Sequence, residues 1–192
     1  MKLNLGCGRT RKDGWTNVDC VEVDGVTDMV VDLDGPDLTH MLDEDSVEES
    51  VGEHVIEHLH RPLEFMAALW HVTAPGGTVT FETPYGSSDD AWEDPTHVRP
   101  WFMNSWGYFS QPFYFRADYG YAADWRLVDL TLAVDAERWS AATPADVLTA
   151  VQSERNVVRF MRATLEAVKP ARAADPDLQE PLPLSFALVD AA

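Results

Sequence analysis

Residues 94–101, Asp-Pro-Thr-His-Val-Arg-Pro-Trp, place a carboxylate, an imidazole and a guanidinium within eight positions. Histidine is the side chain whose charge ordinarily changes near neutral pH, so it suits a general base that takes a proton from a reacting hydroxyl. In that reading His97 is the base and Asp94 orients its ring. Arg99 holds an anionic or polar group of the reactant, and Tyr85 and Trp101 offer it aromatic surface. The plain alternative is a His97 that packs or caps a turn. A neutral amine or a carboxylate needs no base at all.

A second cluster, His54-Val55-Ile56-Glu57-His58, fits the H-x-x-E-H pattern of certain zinc proteases. Two histidines one helical turn apart can share a metal. Here the motif falls at a strand-to-helix junction, the chain is short for such a protease, and no downstream third ligand stands out. No metal is expected, and His58 is expected to pack, hydrogen-bonded, beneath a neighbouring ligand site.

The third feature is Leu3-Asn4-Leu5-Gly6-Cys7-Gly8, a short apolar strand running into a glycine turn. Gly6 and Gly8 permit a tight turn with positive φ and let a ligand approach the backbone. Asp19, at the end of the next strand, can accept hydrogen bonds from both hydroxyls of a ribose. The dinucleotide fingerprint wants a third glycine opening a helix, but Thr10 stands there. Only a short link precedes the second strand, so no helix N-terminus is offered to a pyrophosphate. The implied ligand is a nucleoside without phosphates.

These residues need elements to position them. Runs 3–7, 16–20, 28–33, 47–51 and 77–83 read as strands bounded by turn residues. Residues 61–72 read as a helix, with Pro62 in its first turn and Leu63, Met66, Ala67, Trp70 and His71 at helical spacing. Pro75-Gly76-Gly77 ends it. Of the 20 aromatic residues, 14 lie between Phe81 and Trp125, in a segment of little regular periodicity. Such a segment can form a lid, a core or both. Residues 126–134 alternate as a late strand, and 144–168 read as a C-terminal helix with Thr143 as its cap. From Lys169 the tail reads as irregular, with 184–189 docking as a strand or on a partner. This order predicts an α/β, Rossmann-like domain over 1–192: a mostly parallel central sheet flanked by helices, with a ligand at its carboxyl edge.

Composition narrows the function. The chain of 192 residues is 45% hydrophobic and carries a formal charge of −19. That surface repels polyphosphate, so nucleic-acid binding is disfavoured, while attraction of a basic substrate stays open. No run can span a bilayer and no basic-then-apolar leader is seen, so a cytoplasmic protein is expected. Cys7 and Cys20 fit a reduced pair.

The ordered set from Met1 to about Pro84 resembles the class I S-adenosylmethionine-dependent methyltransferases. Leu5-Gly6-Cys7-Gly8 matches their first motif, and Asp19 the residue that holds the ribose. Asp32-Leu33 matches the segment that contacts the adenine, and Glu53-His54 the strand end beside the methionine part of the cofactor. Glu57-His58-Leu59 and Pro75-Gly76-Gly77 are also common in that family. The short link from Gly8 to Asn17 resembles a compact subgroup with Gly-Trp-x-Asn-Val-Asp.

The resemblance implies S-adenosyl-L-methionine as cofactor. Residues 1–84 would then be the cofactor-binding half, 85–125 an aromatic substrate cap, and 126–192 the late strand, C-terminal helix and tail. The activity it implies is methyl transfer to O or N of a small or medium molecule of the sugar or natural-product type. The alternatives are methylation of a peptide, protein or nucleic acid, and a non-catalytic scaffold that binds the cofactor or a partner. The C-terminal helix and apolar tail leave a homodimer open.

Overall fold

The computed structural model describes residues 1–35, 37–117 and 119–190. Its centre is one eight-stranded sheet in the order β3-β2-β1-β4-β5-β7-β6-β8. The strands β1 (Lys2–Leu5), β2 (Thr16–Asp19), β3 (Met29–Val30), β4 (Val47–Glu53) and β5 (Thr73–Pro84) are mutually parallel. β7 (Val158–Ala167) pairs antiparallel with β5 on one side and with β6 (Trp125–Asp135) on the other, and β8 (Leu184–Val189) closes the sheet parallel to β6. The chain runs outward from β1 through β2 to β3, then returns to β4 on the other side of β1. That reversal opens a crevice at the carboxyl ends of β1 and β4.

Apolar side chains on both sheet faces explain the strands. Leu3, Leu5, Val18, Val47, Val79, Phe81, Leu130, Leu132, Met161 and Leu165 are fully buried. Where a helix would ordinarily cross from β1 to β2, a polar hub stands instead. Buried Asn17 accepts from Lys12 N (2.8 Å) and Asn4 Nδ2 (2.9 Å). Its own Nδ2 donates to the carbonyls of Lys12 and Trp15 and to Asp28 Oδ2. A buried amide so fully paired fixes a loop that is too short to form a helix.

Five helices flank the sheet among the described residues: α1 (Leu38–Met41), α2 (Pro62–Val72), α3 (Asp90–Glu93), α4 (Ala136–Trp139) and α5 (Pro144–Ser153). α2 lies where the sequence puts it, with Pro62 in its first turn. Its buried face, however, is Phe65, Met66, Ala68, Leu69 and Val72, which is rotated from the predicted stripe. Trp70 sits at the margin and donates Nε1–H to Val168 O (3.2 Å). Short 3₁₀ segments at Ile56–His58, Met103–Phe109, Gln111–Tyr114 and Pro176–Leu178 complete the fold.

The C-terminal helix predicted over 144–168 is corrected. α5 ends at Ser153, and Asn156 adopts φ +57°, which turns the chain out of the helix. The rest becomes β7, where Val158, Met161, Ala163, Leu165 and Ala167 are buried and the residues between them are not. A run of apolar and polar residues this mixed satisfies both periods, and pairing with β5 and β6 decides it. The predicted third strand, 28–33, shortens to Met29–Val30.

The tail from Lys169 is irregular but anchored. Asp124, fully buried, holds the Arg172 guanidinium at 2.8 and 2.9 Å and accepts Arg172 N–H (2.8 Å) and Gln111 N–H (3.0 Å). That carboxylate raises the Arg172 guanidinium further above its ordinary range. β8 follows as the edge strand, and its Leu188 remains exposed.

Candidate functional site

Gly6 leaves β1 with φ +60° and Gly8 follows with φ +54°. Space as well as conformation selects Gly6, because a Cβ there would stand 2.2 Å from Val55 Cγ2. The Gly8 N–H donates to Asp19 Oδ2 (2.7 Å), and Val21 N–H donates to Asp19 Oδ1 (3.0 Å). The carboxylate at the end of β2 thereby locks the glycine turn at the end of β1. Around them lies a cavity of about 290 Å³ lined by Gly6, Asp19, Cys20, Asp32, Leu33, Asp34, His54, Val55, His58 and Leu59.

Five residues read from the sequence as cofactor-binding meet in this cavity: Gly6, Asp19, Asp32, Leu33 and His54. Leu5, Cys7, Gly8 and Glu53 do not line it. Leu5 and Cys7 are buried behind the turn, Gly8 contributes its N–H to Asp19, and Glu53 is exposed at the end of β4. Cys20 and Val55 escape the sequence reading, whereas Asp34, which competes with Asp32 in it, His58 and Leu59 are also brought to the cavity. Asp34 serves partly as an anchor, accepting Arg61 N–H (2.9 Å) at the start of α2. Both cysteines are free thiols, and burial pushes each up from its ordinary pKa.

His54 separates this cavity from a second one. Its φ of +53° is uncommon for a residue with a side chain and is forced at the β4 exit, where its N–H donates to Glu82 O (2.9 Å). His54 Nδ1 meets Glu57 Oε1 at 3.2 Å, and that hydrogen bond pushes the imidazole up from its ordinary pKa. Glu57 is 2% exposed, and its Oε2 has no hydrogen-bond partner. The second cavity, of about 620 Å³, is lined by His54, His58, Pro84, Asp90, Glu93, Asp94, His97, Arg159, Phe160, Val189 and Asp190. His54 and His58 thus face both cavities.

His97 and Asp94 both line the second cavity, but the ring is not held by Asp94. Their Nε2–Oδ2 separation is 3.9 Å, too long for a hydrogen bond. His97 Nδ1 instead meets the Ala91 carbonyl at 3.2 Å. Asp94 Oδ1 accepts from Thr96 N (2.8 Å) and Thr96 Oγ1 (2.6 Å), which lowers the carboxyl below its ordinary range. The structure therefore gives Asp94 the turn at Thr96 and gives the ring to Ala91.

The three predicted substrate residues lie elsewhere. Arg99 donates to His60 O (3.2 Å). With Trp101 it lines a third cavity, of about 410 Å³, bounded also by Leu63, Phe102, Tyr108 and Tyr119. Tyr85 is buried, bridges Trp101 through the backbone, and packs edge-on to Phe102. The aromatic segment divides accordingly. Trp101, Trp106 and Phe109 stack at centroid distances of 5.1 and 5.8 Å as core, while Trp92, Tyr108 and Tyr119 are exposed.

No protein-family model matches the chain, and neither does any curated protein. Solved structures do. A SAM-dependent methyltransferase from Archaeoglobus fulgidus superposes with a TM-score of 0.57 at 15% identity, over 86% of this chain and 85% of that one. An S-adenosylmethionine-dependent methyltransferase from Mesorhizobium loti gives 0.51 at 13%, over 86% and 89%. The [4+2]-cyclase SpnF gives 0.51 at 13%, over 87% and 74%. One framework thus hosts more than one chemistry. These superpositions show the fold: the chain has the fold of the class I S-adenosylmethionine-dependent methyltransferases.

Proposed function

We propose that this protein is an S-adenosylmethionine-dependent methyltransferase acting on O or N of a small or medium molecule. One observation carries the reading. The Asp19 carboxylate, locked to the Gly8 N–H, faces a nucleoside-sized cavity that shares His54 and His58 with a larger second cavity holding His97.

The residues fit the cofactor. Asp19 offers oxygens to ribose hydroxyls, and Asp32, which lines the same cavity, is the carboxylate for an adenine amino group. Glu53 and His54 stand at the β4 exit toward the methionine end, and Leu5 and Cys7 support the turn from behind. The many carboxylates here attract a cation, and the bound cofactor supplies an electrophilic methyl group on a cationic sulfonium.

The chain's own task is then to hold an acceptor in line with that methyl group and keep water out. We assign the acceptor to the second cavity. With its Nδ1 facing the Ala91 carbonyl, His97 has Nε2 available to take a proton from an acceptor hydroxyl. Asp90, Glu93, Asp94 and Asp190 outnumber Arg159 around it, which favours a neutral or cationic acceptor over an anionic one. A polyhydroxylated molecule of the sugar or natural-product type, or an amine, meets that condition. Residues 85–125 serve as the substrate cap through Asp90, Glu93, Asp94 and His97, which line the second cavity, and residues 1–84 as the cofactor-binding half of a single domain.

Calorimetric titration with S-adenosylmethionine and its demethylated product tests the reading, followed by transfer of labelled methyl to a panel of neutral and cationic acceptors. Micromolar binding with label transfer supports it. Binding without transfer to any acceptor favours a scaffold or another chemistry on the same fold.

A further inference from the structure

We propose that Glu57, His58 and His97 form a site for one divalent transition-metal ion, with zinc the first choice. A carboxylate oxygen of Glu57 and one ring nitrogen from each histidine lie within 4.8 Å of one another. Two carboxylate- or imidazole-rich neighbours alone would say little. Three further observations point to a ligand.

The first is the orphan. Glu57 is 2% exposed, and its Oε2 accepts no hydrogen bond. A buried carboxylate oxygen without a partner is costly unless a cation completes it.

The second is the tautomers. Thr96 Oγ1 gives its proton to Asp94 Oδ1 (2.6 Å), so it can only accept from His58 Nδ1 (3.1 Å). The Thr96 carbonyl also faces that nitrogen (3.2 Å). His97 Nδ1 faces the Ala91 carbonyl (3.2 Å). Acceptors opposite both Nδ1 atoms place the protons there and leave both Nε2 lone pairs for a metal.

The third is the outer layer. Metal-bound histidines typically donate their other N–H to a carbonyl, and ligating carboxylates are themselves hydrogen-bonded. Here Ala91 and Thr96 hold the histidines, and His54 Nδ1 holds Glu57 Oε1 (3.2 Å). His54 is therefore a support rather than a ligand. The motif at 54–58 gains its third ligand from a loop some forty residues later, tied to it by Val98 N–H donating to Glu57 O (2.8 Å).

Two histidines and a carboxylate with open positions suit zinc and its divalent neighbours. Binding draws the three atoms to roughly 3.3 Å apart, as tetrahedral ligands at about 2.0–2.1 Å require. An ion there takes the His97 Nε2 lone pair. It then lowers the pKa of a hydroxyl or water bound at its open position, and the released proton goes to solvent. The base and the ligand are thus alternative states of one imidazole. The site does not depend on the methyl-transfer reading, since binding is its claim.

The test is titration of chelator-stripped full-length protein with Zn²⁺ by calorimetry and with Co²⁺ by visible absorption, without cofactor. Wild type should take up one equivalent with micromolar affinity. His58→Ala and His97→Ala should each lose at least tenfold, and Thr96→Val a smaller factor, while circular dichroism holds in all three and S-adenosylmethionine affinity holds in His97→Ala, whose side chain does not line the first cavity. If an alanine variant loses its native spectrum, His97→Gln replaces it. Absence of uptake by wild type at millimolar ion overturns the proposal, as does undiminished uptake by natively folded histidine variants. Metal uptake without S-adenosylmethionine binding would leave the site standing and remove the methyltransferase reading.

Discussion

Asp19 Oδ2 accepts the Gly8 N–H at 2.7 Å, so the carboxylate proposed to hold a ribose also holds the turn beside it. Removing it acts twice. Asp19→Ala should weaken S-adenosylmethionine binding roughly tenfold to a hundredfold, the equivalent of about 1.5–3 kcal/mol for a charge-assisted hydrogen bond. Asp19→Asn should lose less, since one amide oxygen can still accept. Calorimetry on both variants checks this, and equal affinity for wild type and Asp19→Ala would remove Asp19 from the site.

His97→Ala separates chemistry from binding. Turnover with a hydroxyl acceptor should fall by roughly a hundredfold to ten-thousandfold, the usual contribution of a general base. Cofactor affinity should stay near wild type, because His97 does not line the cavity proposed for the cofactor. Asp94→Asn should cost much less, since Ala91 rather than Asp94 holds the ring. Unchanged turnover in His97→Ala would end its catalytic role.

Gly6 tests the fit of two elements. In Gly6→Ala the new Cβ would meet Val55 Cγ2 at 2.2 Å with φ fixed near +60°. Overpacking of this kind costs about 1–3 kcal/mol. A lower denaturation midpoint should appear, and the double variant Gly6→Ala/Val55→Ala should recover part of it. Failure to recover would place the cost in the backbone alone.

Asp124 anchors the tail to the sheet. Asp124→Ala strands the Arg172 guanidinium, and breaking a buried pair from one side costs about 3–5 kcal/mol. Urea unfolding measures it. A loss below 1 kcal/mol or so would mean that solvent replaces the carboxylate with little penalty.

Asp28 predicts a pH dependence. Hydrogen bonds from the Asn17 backbone, Arg11 and the Asn17 side chain lower its carboxyl to about 2. A carboxyl lowered on folding stabilises the folded state above its unfolded pKa of about 3.9, and that contribution fades as pH falls toward 2. Asp28→Asn should therefore be less stable than wild type at pH 7, and the gap should narrow between about pH 4 and pH 2. Denaturant curves at both ends of that window check the sign.

Among the described residues, no helix is long and apolar enough to cross a membrane. The acidic lining of the second cavity matches the overall charge of the chain, so salt should weaken binding of a cationic acceptor.

The local signals in the sequence are those that survive into the structure. Leu3 and Leu5 alternate into a core strand, Gly6 and Gly8 take positive φ, Asp19 ends β2, and Pro62 opens α2. Each depends on residues a few positions apart, so sequence alone determines it. What tertiary structure decided depends on pairing over distance. The run 158–167 became a strand because β5 and β6 supplied ladder partners on both sides. α2 turned a different face inward, where Phe65 packs edge-on against Phe81 of β5. Arg99 and Trp101, only a few residues past His97, point into a separate cavity because the chain there is irregular and no repeat holds its side chains on one face. Glu57 and His58 met His97 because Val98 pairs with the Glu57 backbone, a bond between segments that no spacing in the sequence announces.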